Sequence, residues 1–210
     1  APVSDVLVVT ITDAPTANAG PDQTVCANNA MVSLSGSVNP AATGGLWSSS
    51  GTGTFGSVTS LSTTYNPSPA DTAAGSVTIT LTTTGVGLCS PVTDAMIVTI
   101  TDAPLVNAGA NISVCINNPN AALSGSSSTG SGIWVSLGDP GGTFTPSATT
   151  LTGTFVPTAA DIAGGSVILV LTSTANGLCN PEDDSVTVFF TPQPTVSAGS
   201  DVTVCANNAT

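Results

Sequence analysis

The 210-residue chain has no lysine, no arginine and no histidine, and its 12 acidic residues include a single glutamate, Glu182. Charged residues normally make up ~25% of a soluble domain; here they are 6%, all of one sign. Binding to a phosphate backbone depends on cationic side chains, so nucleic acid is excluded as a partner. Anionic membrane surfaces are excluded for the same reason. Trypsin-like proteases find nowhere to cut, which suits a surface exposed to the environment. Without histidine or a Cys-x-x-Cys spacing, the common zinc ligand sets are absent. Carboxylates without His, Lys or Arg lack a partner or oxyanion stabiliser, so neither an enzyme nor a bound cofactor is expected. No apolar run approaches the ~18 residues of a membrane span; the longest, such as Val167 to Leu171, are strand-sized. Aromatic residues are scarce too, at 4%.

What the chain does have is self-similarity at a period of about 90 residues. Asp13-Ala14-Pro15 falls on Asp102-Ala103-Pro104, and Asn18-Ala19-Gly20 on Asn107-Ala108-Gly109. Val25-Cys26 falls on Val114-Cys115 and again on Val204-Cys205, while Cys89 meets Cys179. The register predicts the closing strand of one repeat over 1–13, whole repeats over 14–102 and 103–191, and the opening strands of another over 192–210. A unit of this size can bury its own core, unlike the shorter repeats of solenoids.

Within each unit the patterning is that of strands. Val77, Ile79 and Leu81 alternate with Ser and Thr, and Val167, Leu169 and Leu171 repeat the pattern. Met96 to Ile100 matches Val6 to Ile11 and Val186 to Phe190. Further strands are predicted at 23–25, 32–34, around Trp47 and Trp134, and at Thr64-Tyr65 and Thr154-Phe155. The helix-like scraps at 70–75 and 159–165 read as single turns. The expected fold is all-β: tandem immunoglobulin-like sandwiches of about 90 residues stacked head to tail, each with its lone Trp packed between two sheets.

The residues 15–25, Pro-Thr-Ala-Asn-Ala-Gly-Pro-Asp-Gln-Thr-Val, resemble the opening strand of a PKD domain, an immunoglobulin-like module of surface proteins. With Thr-Val-Cys-Ala-Asn-Asn at 24–29 and Gly-Leu-Cys at 87–89, the repeats more closely resemble the PKD-like repeats of giant Bacteroidota adhesins. These include SprB-type gliding-motility adhesins exported by type IX secretion. The resemblance implies an extracellular, cell-surface setting and a role in cell adhesion. One departure is that Trp47 is followed by Ser48-Ser49-Ser50-Gly51, not by the acidic turn usual in PKD domains.

Two cysteines per unit, in an oxidising compartment, read as disulfides. Pairing within a unit would give Cys26–Cys89 and Cys115–Cys179, leaving Cys205. In the expected sandwich, however, Cys26 lies where the chain leaves the domain and Cys89 where it enters. Those ends are ~25 Å or more apart, whereas a disulfide needs Cα atoms within ~7 Å. Stacked units would instead place Cys26 beside Cys179, with the other cysteines facing flanking units, and both schemes stand at this point. The junction Thr101-Asp102-Ala103-Pro104 is short and proline-stiffened, giving an expected advance of roughly 35–45 Å per unit.

Asp13, Asp94, Asp102 and Glu182-Asp183-Asp184 could gather as oxygen ligands for Ca²⁺, although scattered Asp in turns is the commoner arrangement. Asp71-Thr72-Ala73 and Asp184-Ser185-Val186 resemble the Bacteroidota O-glycosylation pattern, making Thr72 and Ser185 candidate acceptors. Asn111-Ile112-Ser113 and Asn208-Ala209-Thr210 fit the eukaryotic N-glycan sequon and are incidental in such a source. The composition and repeats favour a structural shaft, a disulfide-reinforced spacer whose partners are neighbouring repeats of the same long chain. The alternatives are a repeated glycan- or cell-binding module, or a fibre in which copies exchange edge strands.

Overall fold

The computed structural model describes residues 2–137 and 141–207. The chain divides into two compact units, Ala1–Leu105 with Ala175–Glu182, and Val106–Thr174 with Asp183–Thr210.

The first unit runs β1 (Ala17–Asn18), β2 (Gln23–Cys26), β3 (Val32–Ser35), β4 (Ser37–Val38), β5 (Gly44–Ser49), β6 (Thr54–Phe55), β7 (Ser62–Asn66), a helix α1 (Pro69–Ala74), β8 (Ser76–Thr84) and β9 (Thr93–Thr101). Four strands form one sheet in the order β2-β9-β8-β5, and three form a second in the order β3-β7-β6. The alternation legible in β8 is the reason for this arrangement. Val77, Ile79 and Leu81 bury one face while the threonines between them face outward. Met96, Val98 and Ile100 of β9 do the same, and Val32, Leu34 and Tyr65 cover them from the second sheet in one core. Each such side chain contributes roughly 1.5–3 kcal/mol on burial.

Trp47 lies in that core, 2% exposed, with its indole N–H donating to the Ser60 carbonyl at 2.9 Å. The ring passes so close to Gly36 that a Cβ there would meet Trp47 Cζ2 at 2.6 Å and Leu81 Cδ2 at 2.7 Å. The same pair recurs 89 residues on, where a Cβ at Gly125 would meet Trp134 Cζ2 at 2.6 Å.

The opening segment changes ladder as it runs. β1 pairs antiparallel with β4, whereas β2 pairs parallel with β9, Gln23 opposite Val98 and Cys26 opposite Thr101. The switch turns at Gly20, whose φ of +93° suits glycine. Two acids pin it to the closing strand: Asp94 Oδ2 accepts from the Ala19 N–H at 2.7 Å and Asp22 Oδ1 from the Ile97 N–H at 2.8 Å.

The second unit repeats the plan: β10 (Val106–Asn107), β11 (Ile112–Cys115), β12 (Ala121–Ala122), β13 (Ser126–Ser127), β14 (Gly132–Leu137), β15 (Thr143–Thr145), β16 (Thr154–Val156), α2 (Ala159–Gly164), β17 (Ser166–Ser173) and β18 (Asp183–Thr191). Its sheets are β11-β18-β17-β14 and β12-β16-β15, again with β11 parallel to β18. Trp134 and Phe155 anchor its core. The fold is thus all-β, with immunoglobulin-like sandwiches in tandem.

Two expectations are corrected. The scraps read as single turns are six-residue helices, because Ser68 with Asp71 and Thr158 with Asp161 form capping boxes that hold their first turns. The segments expected as strands at either side of the two repeats form no ladder: residues 2–13 and 192–207 pair with no strand among the described residues. A strand needs a partner for its backbone groups, and none is placed beside these.

Because the space beside Trp47 is already filled, Gly36→Ala is expected to cost the first unit about 1–3 kcal/mol by overpacking. Calorimetry should show one thermal transition lowered and the other unmoved; an unchanged profile would contradict the packing described.

Candidate functional site

The site grows from the end of β2. The parallel ladder sets Cys26 opposite Thr101, the last residue of β9, and the Ala27 N–H continues the ladder to the Thr101 carbonyl at 2.8 Å. The chain then turns on itself, the Asn29 N–H donating to the Cys26 carbonyl at 2.8 Å. This turn leaves the Asn28 side chain free to face outward. Cys89 lies in the loop that precedes β9, beyond its other end. Nine residues of strand separate those ends, about 30 Å.

Cys26 is bonded to Cys179, with Cα atoms 5.0 Å apart across a sequence separation of 153. Cys179 belongs to the loop 175–182, which joins β17 to β18 in sequence and packs as part of the first unit. The within-repeat scheme, Cys26–Cys89 with Cys115–Cys179, is not formed: Cys179 is already engaged, and Cys89, Cys115 and Cys205 are free thiols. The length of β9 is the physical reason, since it holds the two cysteines of a repeat apart.

A lattice of amide hydrogen bonds surrounds the disulfide. Asn28 Nδ2 donates to the Asn180 carbonyl at 3.0 Å and to Glu182 Oε1 at 2.7 Å. In return the Asn180 N–H donates to Asn28 Oδ1, and Asn180 Nδ2 to the Asn28 carbonyl, both at 3.0 Å. The two sulfurs lie over one carbonyl oxygen, that of Asp102, at 3.6 and 3.5 Å. The sequence flagged the cysteines but not this lattice. Its one legible trace was Asn28 beside Cys26, repeated as Asn117 beside Cys115.

Beside Asn28 and Asp102 a shallow depression is walled by α1 residues, among them Thr72. What fixes α1 there is Asp71, buried and holding four donors. Its carboxylate accepts from the Tyr65 hydroxyl at 2.7 Å and from the N–H groups of Ser68, Thr52 and Gly53 at 3.0, 2.8 and 2.9 Å. Burial opposes the charge, but the Tyr65 hydroxyl and these three backbone donors outweigh it and bring Asp71 down to about 2. Burial pushes the Tyr65 phenol upward, so it stays a neutral donor. In the second unit Phe155 stands at the matching position, and Asp161 accepts from the Thr158 N–H and hydroxyl at 2.8 Å each.

The candidate glycosylation residues differ in their surroundings. The Thr72 hydroxyl donates to the Ser68 carbonyl at 3.1 Å inside α1, next to the buried Asp71, whereas Ser185 is exposed on β18. Asn111 accepts from the Thr187 N–H at 2.9 Å, and the sequon at 208–210 lies outside the described residues. Asp184, considered above as a calcium ligand, accepts from the Ala108 N–H at 2.8 Å, as Asp94 does from Ala19.

No protein-family model and no curated protein matches the chain. Solved structures do. The insect immune protein hemolin is 14% identical over 85% of this chain and 47% of its own, with a TM-score of 0.44. Drosophila N-cadherin EC1-4 is 12% identical over 85% and 50%, at 0.43. Human protocadherin-24 EC1-2 is 11% identical over 87% and 100%, at 0.41. The chain spans about half the length of the hemolin and protocadherin gamma B2 structures it matches. At these scores the likeness is loose, and the fold rests on the chain's own sheets and cores.

Asp71 also gives the first unit an acid limit. Its folded pKa lies below its ordinary 3.8, so the stability it adds is complete above about pH 4 and is lost as pH falls through 2. The contribution is about 2 kcal/mol. Tyr65→Phe removes the strongest donor and should move the acid midpoint of this unit to higher pH, read from the Trp47 indole N–H resonance. An unmoved midpoint would remove the phenol from the latch.

Proposed function

We propose that the chain is a load-bearing spacer of an extracellular adhesin or surface filament, in which the Cys26–Cys179 bond keeps most of the polypeptide out of the path of tension. The carrying observation is the 153-residue span of that bond. Tension reaching Cys26 crosses to Cys179 and continues along β18, so residues 27–178 bear no covalent load. β18 is suited to receive it, being a nine-residue strand held by β17 on one edge and β11 on the other. In the chain-entropy treatment a ring this long also adds about 5 kcal/mol against unfolding.

A long spacer must also stay soluble beside its neighbours. A net charge of −12 with no cations makes such chains repel one another. The resemblance to PKD-like repeats supplies the setting: the shaft of a large Bacteroidota surface adhesin, exported by type IX secretion, with recognition left to other domains. A repeated glycan-binding module is less well supported, because Trp47 and Trp134 are core residues with no face to offer a sugar. One observation favours strand exchange as a second reading. Leu7, Val9 and Ile11 are exposed, although β9 buries the matching Met96, Val98 and Ile100 and β18 the matching Val186, Val188 and Phe190.

Single-molecule extension of the chain from its two ends tests the proposal. Under oxidising conditions the contour length gained on unfolding should fall short of the full chain by roughly 500–550 Å, the extended reach of the bridged segment. Reduction should release that length. Full extension before reduction would overturn the load-bypass reading.

A further inference from the structure

The second unit carries the receiving half of the same site, with its thiol free. Cys115 ends β11 as Cys26 ends β2, opposite Thr191 as Cys26 is opposite Thr101. The Ile116 N–H donates to the Thr191 carbonyl at 3.0 Å and the Asn118 N–H to the Cys115 carbonyl at 2.9 Å, the bonds made by Ala27 and Asn29 at the first site. Thr191 Oγ1 reaches the Val114 carbonyl at 3.1 Å, as Thr101 Oγ1 reaches that of Val25 at 3.2 Å. The Cys115 thiol lies 3.8 Å from the Pro192 carbonyl, the counterpart of Asp102. Asn117, the counterpart of Asn28, is exposed. In the first unit this residue set grips a loop.

The chain holds two loops of the gripping kind, and they differ where grip is made. Both have Gly-Leu-Cys, at 87–89 and 177–179, on matching backbones, with the Cys89 N–H bonded to the Val86 carbonyl at 3.1 Å and that of Cys179 to Asn176 at 3.0 Å. After the cysteine, however, the engaged loop reads Asn180-Pro181-Glu182 and the other Ser90-Pro91-Val92. At the first site the Glu182 carboxylate accepts from the Asn28 side chain, and the Asn180 side-chain amide donates to the Asn28 carbonyl while its main chain meets the Asn28 side chain.

We infer that Cys115 and Asn117 form a disulfide-coupled docking site for a further repeat bearing a Gly-Leu-Cys-Asn-Pro-Glu loop, and that the site discriminates against the Gly-Leu-Cys-Ser-Pro-Val type. Asn117 supplies the selection: opposite Ser and Val its side chain loses the carboxylate acceptor that Glu182 gives Asn28, and its main-chain carbonyl loses the donor that the Asn180 amide gives that of Asn28. Attachment proceeds by thiol–disulfide exchange. The Cys115 thiolate attacks the loop cysteine of a mixed disulfide, a new S–S bond forms, and the carrier thiol leaves as its thiolate, with no net oxidation. The inference rests on the reading of Cys26–Cys179 as a tie between repeats, but not on that tie bearing load.

The test uses the full 210-residue chain with Cys26–Cys179 intact and a synthetic peptide of residues 173–184 carried as its mixed disulfide with glutathione. Exchange is run to equilibrium in glutathione buffer, and adducts at Cys89, Cys115 and Cys205 are quantified by mass spectrometry. The Cys115 adduct is expected to exceed that at the exposed Cys205 by about tenfold, the effect of one or two hydrogen bonds to Asn117. Asn117→Ala in the protein, or Ser and Val at the Asn180 and Glu182 positions of the peptide, should each erase the preference. Equal labelling of Cys115 and Cys205, or a preference that survives both changes, would overturn the inference. Loss of the Cys26–Cys179 bond in the starting material would instead count against the tie itself.

Discussion

The parallel ladder between β2 and β9 is the constraint on which the rest of the molecule depends. An antiparallel meander would have returned the opening strand toward the β8–β9 loop and brought the two cysteines of one repeat together. Parallel pairing does the opposite. It carries Cys26 alongside β9 to Thr101, with the full length of that strand between it and Cys89. Cys26 and Cys89 are then too far apart to pair, and the bond that forms joins residues 153 apart. The turn at Gly20 and the carboxylates of Asp94 and Asp22 hold the opening segment in that ladder.

A chain without cations must find other uses for its carboxylates, and this one spends several on backbone and side-chain N–H groups. Asp71 caps α1 and accepts from Thr52 and Gly53; Asp22, Asp94 and Asp184 tie opening strands to closing ones; Glu182 accepts from Asn28. Hydrogen bonds to a charged acceptor are worth more than neutral ones, so a few acids stiffen loops that salt bridges would otherwise hold. The same economy makes the first unit sensitive to strong acid through Asp71.

Much of the fold was legible because period-2 alternation survives in β8, β9, β17 and β18, which are the central strands of the larger sheets. The repeat register exposed the Trp and Cys positions. What the sequence did not disclose were the effects that depend on what lies across space. Nothing local marks Asp71 as a buried acceptor, because its donors come from Thr52, Gly53 and Tyr65 as well as Ser68. The capping boxes lengthened turns into helices. Val6 to Ile11 has the apolar pattern of β9 yet forms no ladder, since strand formation needs a partner as well as a pattern. Asn28 looked like a turn residue until Asn180 and Glu182 stood opposite it.

The most direct measurement is a peptide map of the unreduced protein, with free thiols first blocked by an alkylating agent. Pepsin is the protease of choice, since trypsin has no site. The account predicts one linked pair containing Cys26 and Cys179, with the alkyl label on Cys89, Cys115 and Cys205. A linked pair containing Cys26 and Cys89, or Cys115 and Cys179, would contradict it.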